Sequence, residues 1–360
     1  MNKANNTSTC SYPLTDTTAR IGVISSYCFI FVVSAVGNGS VGLIVYKIKT
    51  MRKPINFFIV NMAMSDLLFL ISVGIAIMLA FKPSSWIFRG SSGDTMCKIK
   101  ELLPSFSVAV SIQSLVPISV ERFEAVVFPL RSPIINLSRC LVFIIVTWIV
   151  AIAINLPKCL AWKLSEHPEK IACELHWNEM FGESSTHANY LLATFAVLFY
   201  FPVVLITILY PVIICKLQSQ MTPGETSLQA QNERVRRNKN VLKMSIAIVI
   251  AFVLCWVPWS ISAILIAFDV SLPCGFFIFW ITDNVLLVSN SAINPCICFT
   301  FSRNYQMSFK KILKCFHLTQ RQRDAEQNEP NLQLVLSKRH GFLGLSMREK
   351  RFDYVTTEAI

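Results

Sequence analysis

The chain has 360 residues, of which 53% are hydrophobic and only 15% charged, where a soluble globular protein carries about 25% charged residues. Its formal net charge is +12, but a mean hydropathy of +0.52 leaves too little polar surface for a nucleic-acid partner and excludes an ordinary cytosolic enzyme. With 12 glycines and no shared signature at a spacing of about 20–50 residues, collagen-like and low-complexity chains are excluded as well.

Crossing a bilayer takes roughly 20 apolar residues, and seven stretches qualify. In chain order they are Ile21 to Tyr46, Ile55 to Phe81, Leu102 to Val120, Cys140 to Pro157, Ala188 to Cys215, Met244 to Phe268 and Val270 to Phe301. Only the second and the last carry a charge, one Asp each. Apolar residues cover every face, which suits lipid rather than a water-facing amphipathic bundle. The expected fold is all-α and integral to the membrane: a seven-helix bundle over 21–301, after an N-terminal tail at 1–20.

Cytoplasmic loops accumulate Lys and Arg. Segments 47–54, 121–139, 216–243 and the tail from 302 hold 24 of the 33 basic residues, so the amino terminus is expected outside a plasma membrane and the carboxyl terminus inside. Residues 1–20 lack the apolar core of a cleavable signal, and the first span is read as an uncleaved start-transfer segment. Two features agree with an exterior tail. Asn5 and Asn6 begin overlapping glycosylation triplets, and four cysteines, Cys10, Cys97, Cys173 and Cys274, fall on the oxidising side, where three pairings are open to them.

Asp66 sits near the middle of the second span, where an ionisable group costs roughly 2.5–3.5 kcal/mol. It must face polar company, and Asn38, Ser111, Asn290, Ser291 and Asn294 lie at similar expected depth. Such an oxygen-rich group suits a small cation or a proton. Arg122 closes the third span beside Glu121, a partner that a conformational change can break. Pro202 and Pro258 remove backbone donors in the fifth and sixth spans and are expected to bend them, the second within Phe252-Val253-Leu254-Cys255-Trp256-Val257-Pro258.

Taken in order, Gly37-Asn38, Asn61 to Leu68 with Asp66, Cys97, Glu121-Arg122-Phe123, Trp148, Cys173, Pro202, Tyr210, Phe252 to Pro258 and Asn294-Pro295 resemble a rhodopsin-like (class A) G-protein-coupled receptor from residue 21 to about 316. The resemblance implies a receptor with no catalytic chemistry. It pairs Cys97 with Cys173 and leaves Cys10 with Cys274 as a second bridge. It makes Asp66, Ser111, Asn290 and Asn294 a sodium pocket and gives Ile112, Pro202 and Phe252 the activation switch. Trp256 becomes the ligand-sensing aromatic, and Arg122 the residue that meets the heterotrimeric G protein.

The chain also departs from that family. Asn294-Pro295 is followed by Cys296-Ile297-Cys298, so the tyrosine expected to reach Tyr210 is replaced by Cys298, and Phe123 stands where Tyr is usual. Val288 replaces the retinal lysine of opsins, and Pro104 the aspartate of aminergic members. The segment 158–187 carries five Glu, three Lys and His167, His176 and His187, a long polar loop of the kind usual over an open, peptide-binding mouth. Ser105, Glu174, Thr194, Trp259, Trp280, Asp283 and Asn284 are expected to line that mouth, where aromatics and acids suit a basic, aromatic peptide end. The wording around Ser119 to Phe123 and Val127 to Leu130 is most similar to neuropeptide receptors.

On the cytoplasmic side, 302–316 is expected to form a short amphipathic surface helix on membrane lipids, with Cys315 a palmitoylation candidate. Low hydrophobicity over 317–360 predicts disorder. The expected function is a peptide receptor acting on a heterotrimeric G protein, with arrestin as a further partner. The alternatives are a receptor of the same family for a lipid or other small molecule, and a seven-span ion transporter or channel built on Asp66.

Overall fold

The structure is a computed structural model that describes residues 17–81, 86–128, 131, 133–168, 170–183, 186–219, 228–270 and 276–314, the side chains of 228–238 and 277 aside. The chain divides into two compact units, Met1–Ser308 and Phe309–Ile360. Of the second, residues 309–314 are described and are helical, as are 303–308 of the first. Cys10, Cys274, Cys315, Asn5, Asn6 and the tail 317–360 lie outside the described residues.

Seven helices are long and apolar enough to cross a membrane. The helices in order are α1 (Thr17–Lys47), α2 (Pro54–Phe81), α3 (Gly90–Val127), α4 (Leu137–Ala161), a short α5 (Trp177–Phe181), α6 (His187–Phe195), α7 (Phe201–Ser219), α8 (Leu228–Ala267) and α9 (Phe276–Phe301). Helices α6 and α7 form one span through a π turn, Ala196–Tyr200. Large apolar side chains such as Phe29, Ile208 and Leu254 stand 71%, 61% and 64% exposed, a surface that water penalises and lipid does not.

The spans outrun the expected bounds at their polar ends. Helix α3 starts at Gly90 rather than Leu102, because charge ends an apolar stretch but not a helix: Asp94 and Lys98 pair at 2.8 Å one turn apart within it. Helix α4 continues past Pro157 to Ala161 and so includes Lys158. Its start is capped by Asn136, which accepts from the Arg139 N–H at 2.9 Å.

Within the segment expected as a long polar loop, the chain forms an antiparallel hairpin, β1 (Trp162–Glu166) on β2 (Ile171–Leu175), with Leu164 opposite Cys173. Trp162, Leu164, Ile171 and Cys173 alternate with Lys163, Ser165, Ala172 and Glu174, which puts the larger apolar side chains on one face of the hairpin. That face packs against Ile75, Trp86 and Cys97. Cys97 and Cys173 form a disulfide, with Cα atoms 5.5 Å apart. The Trp86 N–H donates to the Ile171 carbonyl at 2.8 Å, which ties the segment before α3 to the hairpin as well.

Polar side chains join α1 to α9 and α2 to α3 at proline-freed carbonyls. Pro295 has no N–H, so the Ser291 carbonyl four residues earlier has no helical donor. Asn38 Nδ2 donates to it at 2.8 Å and Ser34 Oγ at 3.2 Å. Pro104 frees the Lys100 carbonyl in the same way, and Ser72 of α2 donates to it at 2.7 Å.

Gly37 lets the Pro295 ring approach. A Cβ there would lie 2.6 Å and 2.8 Å from Pro295 Cγ and Cβ, whereas one at Gly39 would meet nothing within 4 Å. A proline ring cannot rotate away, so Gly37→Ala is expected to cost about 1–3 kcal/mol. The thermal midpoint in detergent should fall by several degrees, while Gly39→Ala leaves it unchanged or slightly higher. Equal stability of the two variants would contradict this packing.

Candidate functional site

At mid-depth, Asp66 is fully buried. Its carboxylate accepts from Ser107 Oγ at 3.2 Å and from Asn294 Nδ2 at 3.0 Å. The expected neighbours Asn38 and Ser111 are turned elsewhere: Asn38 serves the α9 backbone, and Ser111 Oγ lies 3.4 Å from Ser65 Oγ. Ser107, one turn before Ser111, takes the direct contact because α3 crosses α2 at that level. Asn290 Oδ1 and Asn294 Oδ1 are buried acceptors without a partner among the described residues. Beside this centre, Asn61 links three helices. Its Oδ1 accepts from Trp148 Nε1 at 2.8 Å, and its Nδ2 donates to Ser114 at 3.0 Å and Thr147 at 3.3 Å.

Towards the hairpin end the bundle holds a cavity with about 490 Å³ of empty space, its mouth included. Ser105, Thr194 and Trp259 line it as expected, together with Ile112, Phe199, Trp256 and Lys158. Lys158 is buried and donates to Ser105 Oγ at 3.0 Å. The other expected lining residues are not part of it. Asp283 is buried, with Ser262 and Asn284 donating to its carboxylate, and Asn284 also donates to the Trp280 carbonyl at 2.6 Å. Glu174 stands on the hairpin, where His167 Nε2 lies 3.1 Å from both its carboxylate oxygens. That hydrogen bond, above all, holds the Glu174 carboxyl below its ordinary pKa. The acids expected to face a basic ligand end are thus engaged elsewhere.

Below the cavity the aromatics form a continuous stack. Trp259 meets Phe195 at 5.9 Å and Trp256 at 5.6 Å between ring centroids, Trp256 meets Phe252 at 5.9 Å, and Phe252 meets Phe199 at 5.7 Å. Phe199 sits in the π turn immediately before Pro202. Pro202 cannot donate to the preceding turn, and the chain widens there instead of simply bending. Sequence reading missed Phe199, since no periodicity marks a π turn.

At the opposite end of α3, Arg122 donates to the carboxylate of Glu121, with both side chains mostly buried. Phe123 packs edge-on against Phe128 at 6.0 Å. Tyr210 accepts from Ser119 Oγ at 3.3 Å. Cys298 is buried, and Tyr305, also buried, donates to Asn56 Oδ1 at 3.3 Å.

Residues 37–297 match the family described as 7 transmembrane receptor (rhodopsin family). The chain belongs to that family. A QRFP-like peptide receptor of Branchiostoma floridae is 27% identical over 82% of this chain and 78% of its own length. A neuropeptide FF receptor 2 of Mus musculus is 31% identical over 80% and 71%. A neuromedin-K receptor of Cavia porcellus is 27% identical over 80% of this chain but 64% of its own length, so the match spans less than two thirds of that relative. The chain is therefore a multi-pass membrane protein and a rhodopsin-family receptor. The cavity, the polar centre and the Arg122 end are places within one receptor bundle.

In this receptor Asn61→Leu is expected to leave the Trp148 indole N–H without its acceptor, at a cost of about 1–3 kcal/mol. The check is the thermal midpoint of purified protein. Adding Trp148→Phe should recover part of the loss by removing the orphaned donor, and a double variant as impaired as the two losses summed would deny the coupling.

Proposed function

We propose that this receptor sits in the plasma membrane with its N-terminus outside, binds an extracellular peptide in the cavity, and triggers nucleotide exchange on a heterotrimeric G protein. The observation that carries the reading is the stack under the cavity. Trp256 and Ile112 line it, and Trp256 lies on the fully buried Phe252. A ligand pressing on Trp256 repacks Phe252 against Phe199 and Ile112, and α8 can then shift about Pro258 to open the Arg122 end. Relatives named as peptide receptors support a peptide ligand, and their family disfavours the ion-transporter reading. The distribution of basic residues supports the orientation, as does a disulfide at the hairpin end, which needs an oxidising compartment. Glycans on Asn5 and Asn6, a Cys10–Cys274 bridge, palmitate on Cys315, arrestin and lipid contacts belong to the same proposal.

The test is a peptide library applied to cells expressing the receptor, read as G-protein activation and as calcium and cyclic-nucleotide signals. A responding peptide should lose its response with Arg122→Ala while still binding. Responses to lipid or metabolite extracts alone would replace the peptide ligand with a small molecule.

The residues around Asp66 also fit a sodium ion. A buried carboxylate, the Ser107 hydroxyl, and the unpartnered Asn290 and Asn294 carbonyl oxygens are the hard oxygen ligands such an ion takes. Bound there, sodium would hold α2, α3 and α9 in the arrangement seen. Agonist affinity should fall when sodium replaces N-methylglucamine, by roughly 5- to 150-fold, and Asp66→Asn should abolish that dependence. Equal indifference of both proteins to sodium would leave Asp66 a structural residue.

A further inference from the structure

Lys158 is the feature that neither the fold nor the activation chain uses. An ammonium inside a membrane span is costly unless it is paired, yet this one is 91% buried by the 9% exposure of its residue. It forms no ion pair among the described residues. Of its three N–H donors, one goes to Ser105 Oγ at 3.0 Å. The carboxylate whose charge reaches it is Glu101, one turn before Ser105 on α3, and that carboxylate is already taken by Lys100. The ammonium lines the cavity.

A second donor lines the same cavity. Trp256 Nε1 is buried and has no acceptor among the described residues. Between the two donors the wall is aromatic, formed by Phe195, Phe199 and Trp259. A wall that holds a cation and ring faces, with a buried indole N–H behind them and no carboxylate, is complementary to an acid attached to an apolar or aromatic group.

We propose that Lys158 is the anchor for a ligand carboxylate carried next to an aromatic side chain. The inference rests on reading this cavity as the ligand site. It reverses the polarity expected from the sequence, because the ligand end that enters is acidic, not basic. A peptide can supply the group in two ways, as its free C-terminal carboxylate or as an Asp or Glu side chain.

The experiment uses three defined probes on the purified full-length receptor: N-acetyl-phenylalanine, its amide, and N-acetyl-aspartyl-phenylalanine amide, each titrated against the thermal midpoint. At least one acid should bind about tenfold or more tighter than the neutral amide, the gain expected of a charge-assisted hydrogen bond. Lys158→Gln should erase that preference and Lys158→Arg retain it. Preference for N-acetyl-phenylalanine assigns the terminal carboxylate, and preference for the aspartyl probe alone assigns a side chain. Equal binding of acids and amide, binding by none, or a preference that survives Lys158→Gln would overturn the proposal. The comparison of acid with amide in the unaltered receptor stands even if Lys158→Gln does not fold. The receptor reading fails separately: acid binding through Lys158 with no ligand-stimulated nucleotide exchange would remove the receptor function and leave the anion site in place.

Discussion

A proline inside a membrane helix leaves a carbonyl that hydrocarbon cannot satisfy, and at Pro295 and Pro104 this bundle meets that demand with side chains of neighbouring helices. The Ser291 carbonyl freed by Pro295 takes two donors from α1. The Lys100 carbonyl freed by Pro104 takes one from α2. Both partners are fixed in register, because a shift of one residue along either helix would turn the donor away and leave the carbonyl bare. Gly37 lets α1 close on the Pro295 ring, and the same placement of α9 presents Asn294 to Asp66. The polar centre is thus a consequence of how the proline is accommodated.

The seven spans were legible because hydrocarbon imposes one rule on every residue at that depth, and a simple excess of Val, Ile, Leu and Phe reports it. What escaped lay where that rule stops. Lys158 follows Pro157, at the point where an apolar stretch ends, although the helix runs on for another turn. The first turns of α3 escaped for the same reason. The hairpin did leave a trace, since Trp162 and Leu164 alternate with Lys163 and Ser165, and Cys173 and Leu175 flank Glu174, but five-residue strands within a charged segment give a weak period. Ser107 shared a face with Ser111 one turn away, and choosing between them needs the crossing of α2 and α3, which no local pattern contains.

The resemblance supplied residues and the structure supplied their company. Phe252 and Trp256 were expected as movers, but Phe199, brought against Phe252 by the π turn, is what Phe252 packs on. A π turn holds one residue more than an α turn in the same rise, so its return to α geometry would rotate everything before it about the helix axis. Phe195 and Thr194, which line the cavity, precede that turn. The turn therefore couples the cavity wall to the packing of Phe252 on a single helix.

The missing tyrosine at Cys298 changes what holds the other end of α9. A phenol is still present there, moved along the chain: Tyr305 is buried and reaches Asn56 at the foot of α2. Burial keeps its hydroxyl well above its ordinary pKa, so it remains a donor. Cys298 meanwhile lines a cavity with about 240 Å³ of empty space beside Asn38, Ile248 and Asn294. The hydroxyl of Tyr210 is met by Ser119 of α3 and not by α9. Hydroxyl contacts at this end thus run from Tyr305, just past α9, to α2 and from Tyr210 of α7 to Ser119 of α3 and Ser245 of α8, with none between α9 and α7 among the described residues. Of these contacts, the one between Tyr210 and Ser245 holds α8 and is the one that a movement of α8 must break. The barrier to opening then falls on that contact and on the aromatic stack, to which α8 contributes Phe252 and Trp256.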